Sequence, residues 1–278
     1  MIGTYIIKQQ QLKNGFFQSG SGPYKILIQG SCRVVPLVDY FDKFNDQNGN
    51  QLTIYSIDPF NFNWNMKDER VDYESALRSW EDNDRMLNML SSVDCYIHEF
   101  YRHSGMFNVD KNESKNIYQF GINPKIDICT PNFNDVFILM NDILTFDSEM
   151  RKKVLQDMNV LSKISTQTKE ELFNLSVTNL HRFYEVCRKS DIPELVEYFS
   201  ANMRGIRFFH TYNHVSKFFT LFIFRRINER WLNLKITPEF MHFIAQHDMF
   251  DNSYTKLTNL DIELYGMNWN EEIVPLNI

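Results

Sequence analysis

Residues 25–41, KILIQGSCRVVPLVDYF, decide how the chain folds. KILIQ is an apolar run of strand length, and Gly30-Ser31-Cys32-Arg33 ends it abruptly. VVPLVDYF then repeats its apolar residues at helical spacing, with Pro36 in the first turn, where a missing N–H costs nothing. A buried strand turning at once into a helix is the opening unit of a parallel α/β sheet.

The pattern recurs along the chain. QLTIYSID, VDCYIHEF and PKIDICTP read as three further strands, so strands ending near Gly30, Asp58 and Glu99 are expected side by side and parallel, with helices flanking the sheet. Residues 1–23 read as a polar N-terminal arm closed by the turn-rich QSGSGP. Residues 24–278 then form a single α/β domain with a helical insertion or cap at about 135–200, where no strand pattern shows. Near the C-terminal end, RGIRFFHTYNHVSKFFTLFIFRRINERW reads as a short strand, a loop and a long helix, and TPEFMHFIAQ as a final helix.

Composition sets limits on function. The hydrophobic fraction of 43%, with 24 Phe and 13 Tyr, supports a large core built from rings. A net charge of −6 lacks the basic face that nucleic-acid binding needs, so no nucleic-acid partner is expected. Cys32, Cys95, Cys129 and Cys187 form no CxxC pair, and His242 and His247 lie five apart rather than four. No metal site is expected. The N-terminus shows no signal-peptide pattern, and FFTLFIFRRINERW is too short and too soon charged to span a bilayer. These features describe a cytoplasmic protein without stable membrane insertion; they leave its oligomeric state open.

Two short segments carry the chemistry. At the carboxyl end of a parallel strand, where such folds bind ligands, Gly30 permits the bend and the helix N-terminus favours an anion. A thiol at Cys32 would be acidified there, with help from Arg33, and could act as a nucleophile. The plain alternative is a small side chain filling the strand–helix corner. In FFHTYNHVSKFF, His214 sits between strand and helix, where it could serve as general base or simply sit capped at a helix start. His98, at the end of the third strand, is a further candidate for contact with an oxyanion, with Glu99 as its orienter and His103 nearby.

Taken together, ILIQGSCRVVPL and FFHTYNHVSKFFTLFIFRRI resemble, in order and spacing, the two end motifs of the WcbI-type polysaccharide-biosynthesis family. Those motifs are a strand–Gly-Asn-Cys-Gln–helix turn and a late Phe-x-Thr-x-Asn-His-Pro. The resemblance implies an SGNH-hydrolase-like fold that binds coenzyme A, with acetyl-CoA as acyl donor and a glycan or saccharide as acceptor. It places Cys32 in the nucleophile's position and His214 in that of the base. Ser31, Arg33, Asn213 and Lys217 fall within the motifs, and Arg204 and Arg207 just before the second. All six are candidates for holding the coenzyme, arginine being suited to its phosphates. Ser31, Arg33 and Val215 stand where the family has Asn, Gln and Pro. Thr211, three before His214, leaves the SGNH Asp-x-x-His unmet, so a carboxylate that orients the base must come from elsewhere. An esterase using Cys32 with water as acceptor, and a non-catalytic binding protein on the same fold, remain open.

Overall fold

The computed structural model describes residues 10–13, 16–30, 33–57, 88, 91–99, 122–130, 169–211, 214–249, 262–263 and 265–269. The chain divides into two compact units, Met1–Cys129 with Ile223–Gln246, and Thr130–Phe222 with His247–Ile278.

The first unit holds a six-stranded sheet. Its strands are β1 (Gln10–Lys13), β2 (Phe16–Gly20), β3 (Tyr24–Gln29), β4 (Leu52–Ile57), β5 (Cys95–Glu99) and β6 (Lys125–Ile128), in the spatial order β1-β2-β4-β3-β5-β6. β4, β3, β5 and β6 run parallel, as the four strand readings required. β3 lies in the middle, and Ile26, Leu27 and Ile28 are fully buried, which explains its unbroken apolar run. Chain order departs from β3 toward β4 on one side and toward β5 and β6 on the other. The gap between β3 and β5 is therefore the topological switch point of the parallel part.

The stretch expected to be a polar arm contributes two of the six strands. β1 and β2 pair antiparallel, and β2 pairs antiparallel with β4 from Phe16↔Ile57 to Gly20↔Thr53. Gln, Lys and Ser suit an edge hairpin that needs only one apolar face.

Helix α1 (Val35–Asn48) follows β3, with Pro36 near its start. It ends at Gly49, whose φ of 77° gives the left-handed cap that glycine adopts without strain. Helix α4 (Lys217–Ile227) runs into a π-helical turn, Asn228–Leu232, which Asn233 closes in the left-handed region, so the expected long helix is shorter. Helix α5 (Pro238–Gln246) completes the unit. Rings fill the space between these elements. Phe41 meets Phe224 at 5.1 Å between centroids, Phe44 meets Phe240 edge-on at 5.6 Å, and Tyr40 donates to the Ile244 carbonyl at 3.3 Å.

The second unit, in its described part, contains α2 (Lys169–Arg188), α3 (Leu195–Asn202), the hairpin β7 (Phe209–Thr211) and β8 (His214–Val215), and the first half of α4. Its core is again aromatic: Phe199 lies 4.9 Å from Phe208 and 5.2 Å from Phe183. The rest of the expected helical insertion, 135–168, lies outside the described residues. Among the described residues no helix is long and apolar enough to cross a membrane.

Candidate functional site

The corner after β3 sits at the switch point. Gly30 must be glycine: a Cβ there would lie 2.7 Å from Glu99 Oε2 and 2.7 Å from Val34 Cγ1. The neighbouring strand's last carboxylate thus occupies the space beside the turn. Arg33 closes over it, with Nε 3.0 Å from Glu99 Oε1 and both side chains almost wholly buried. Its charge is matched by a carboxylate, and the pair ties Arg33 to the end of β5. Val34, the N-cap of α1, makes no side-chain cap, and the first turn carries no acidic residue. Helix-start N–H groups without a side-chain cap favour a negative group. Ser31 and Cys32 lie outside the described residues.

His98 and Glu99 do not work as a pair. Adjacent strand residues face opposite sides of a sheet, and Glu99 is held by Arg33. His98 instead faces Asp127, its register partner on β6, with Nδ1 3.4 Å from Oδ1. That contact lacks hydrogen-bond alignment, for His98 Nδ1 is buried without a hydrogen-bond partner among the described residues. Lys125 reaches the other Asp127 oxygen at 2.9 Å. Burial alone would raise the Asp127 pKa, but the His98 and Lys125 side chains outweigh it and hold the carboxyl below its ordinary value. On the same face Tyr96 donates to Gln29. His103 lies outside the described residues.

Cys95, Cys129 and Cys187 are buried thiols. Burial, reinforced by Asp94, pushes the Cys95 pKa up to about 12, so it stays a protonated packing group.

In the second unit Arg204 is exposed, and the Arg207 guanidinium lies 5.7 Å from the centre of the Trp269 ring. Lys217 Nζ sits 5.5 Å over the Phe218 ring, and its backbone N–H donates to Asp248 Oδ2 at 2.9 Å. Asn213 and the His214 side chain lie outside the described residues. The same Asp248 oxygen lies 2.8 Å from Nε2 of His210, a residue of the late motif that sequence reasoning passed over in favour of His214. No spacing rule could have joined them, since 38 residues separate the pair. The cue available was only a second histidine in FFHTYNH.

No family model and no curated protein sequence matches the chain. Among solved structures it is similar to WcbI, described as a novel polysaccharide biosynthesis enzyme, in a native form without a disulfide bond between coenzyme A and a cysteine of that protein. Identity is 15%, the match covers 82% of this chain and 75% of that one, and the TM-score is 0.45. Likeness of that degree carries neither family nor function across.

Proposed function

We propose that the protein is a cytoplasmic, coenzyme A-dependent acyltransferase of WcbI-like, SGNH-hydrolase-like type, moving an acetyl group from acetyl-CoA to a saccharide hydroxyl. One observation carries the reading. Gly30 and Arg33, which bracket in sequence the cysteine of the first motif, stand at the carboxyl end of the central parallel strand, beside the switch point. There the backbone N–H groups at the start of α1 suit a phosphate or a developing oxyanion. Cys32 is the nucleophile or a wall of that site, and a histidine of the 209–215 hairpin takes the acceptor's proton, His214 being the one the motif carries. Ser31, Asn213, Lys217, Arg204 and Arg207 are the proposed coenzyme contacts.

Labelling with limiting iodoacetamide tests it. Cys32 is expected to react first, with coenzyme A slowing it, while Cys95, Cys129 and Cys187 stay unlabelled in the folded protein. Cys32→Ser should lower transfer from acetyl-CoA about a hundredfold or more if the thiolate attacks. Turnover of a chromogenic acetyl ester without coenzyme A binding would favour the esterase, and binding without turnover a non-catalytic protein. Uniform labelling of four thiols, unaffected by coenzyme A, would remove the proposal.

A further inference from the structure

His210, on β7, is buried. Its Nε2 lies 2.8 Å from Asp248 Oδ2, and that oxygen also accepts the Lys217 amide at the first residue of α4. An ionised carboxylate only accepts, so Nε2 must donate. The neutral ring therefore carries its hydrogen on Nε2 and its lone pair on Nδ1. The start of α4 favours the ionised form of Asp248 and fixes its position. Nδ1 itself is buried and has no hydrogen-bond partner among the described residues. A buried acceptor left open is costly and calls for an explanation. A donor brought by a ligand supplies one, since the carboxylate that the late motif lacked locally is here, on the other ring nitrogen.

We propose that His210 is the general base toward the hydroxyl of the acceptor substrate, with Asp248 as its positioning residue. The identity of that hydroxyl rests on the acyl-transfer reading; the tautomer does not. As the hydroxyl oxygen bonds to the thioester carbonyl carbon, its proton passes to Nδ1, and the imidazolium keeps its Nε2–H on Asp248. When the carbon–sulfur bond breaks, the departing thiolate takes the proton from Nδ1. Alcohol and thioester become ester and thiol, with no redox change.

Two measurements on the full chain decide it. Histidine-selective 15N labelling with long-range proton–nitrogen spectra reports each ring's tautomer, the His210 signals being those lost in His210→Gln. The expected result near pH 8 is a protonated Nε2 and a bare Nδ1, with that preference lost in Asp248→Ala, which removes the oxygen that accepts from Nε2. Thiol release from acetyl-CoA, with glycerol as a minimal polyol acceptor, is the second. His210→Gln should lower kcat about a hundredfold or more with KM for acetyl-CoA within about twofold. Asp248→Asn should lose about tenfold in kcat, because the charge that stabilises the imidazolium formed during the reaction is gone. A protonated Nδ1, or wild-type turnover in His210→Gln, would overturn the dyad while leaving the acyltransferase reading intact. A bare Nδ1 in a protein that neither binds coenzyme A nor releases thiol would support the dyad and remove that reading instead.

Discussion

The carboxyl edge of the parallel sheet and the β7–β8 hairpin handle buried charge in opposite ways. At the sheet edge charges are matched by side chains: Arg33 with Glu99, and Lys125 with Asp127 beside His98. At the hairpin, Asp248 takes a backbone amide and one imidazole nitrogen, and the second nitrogen has no hydrogen-bond partner among the described residues. His98 shares its carboxylate with a lysine and sits 3.4 Å away without alignment, whereas His210 is held at 2.8 Å. A carboxylate already neutralised by an ammonium has less to offer an imidazolium. The sheet edge thus holds a turn in place, and the hairpin holds one imidazole nitrogen and leaves the other without a partner among the described residues.

The largest expected effect tests the first half of that contrast. Glu99→Ala takes from the buried Arg33 guanidinium the carboxylate at its Nε, and breaking such a pair costs about 3–5 kcal/mol. Asp248→Ala removes a helix-start acceptor and an imidazole partner, for which about 1–2 kcal/mol is expected. Urea denaturation of the two variants measures both. Equal losses would mean that the hairpin carboxylate is as structural as the one at the corner.

How much of this was legible beforehand follows from the range of the forces involved. The four parallel strands and α1 could be read because burial on both faces writes apolar runs, and helix periodicity is local. The β1–β2 hairpin was missed because an edge pair needs little apolar surface, and Gln10, Gln11 and Lys13 look like a polar tail. Gly30 and Cys32 stood out as a motif, but Glu99, which explains the glycine, is 69 residues away. The Arg33–Glu99 and His210–Asp248 pairs come from folding alone, so no local pattern could show Glu99 bound to Arg33 or an aspartate beside His210.

Asp42 on α1 is a half-buried carboxylate with neither arrangement. It accepts a hydrogen bond from Ser19, but its Oδ2 has no hydrogen-bond partner among the described residues. Burial, with Asp39 and Asp46 adding to it against Ser19 and Lys43, raises its pKa to about 6. The folded protein therefore binds this proton more tightly than the unfolded chain, whose carboxyl titrates near its ordinary value. Asp42 thus lowers wild-type stability as pH rises from about 4 to about 6, after which the penalty stays. Asp42→Asn should raise stability at pH 7 by up to about 3 kcal/mol and flatten that slope. Melting temperatures of both proteins at about pH 4.5 and about pH 7, on either side of that titration, check it; an unchanged slope would show that the carboxylate finds a partner on folding.

The smallest expected effect concerns His98. Asp127 is held below its ordinary pKa, so its contribution is present above the unfolded carboxyl value and is lost as pH falls through the folded one. Lys125 and Asp127 are partly exposed, which keeps their pairing weak. Lys125→Met should therefore cost no more than about 1 kcal/mol at neutral pH. Its informative consequence is on the imidazole. With the lysine gone, Asp127 is freer to align with His98, so the share of His98 rings carrying their hydrogen on Nδ1 should rise, as long-range proton–nitrogen spectra would read. An unchanged tautomer balance would mean that Lys125 does not compete with His98 for this carboxylate, and that Asp127 and Asp248 hold their imidazoles alike.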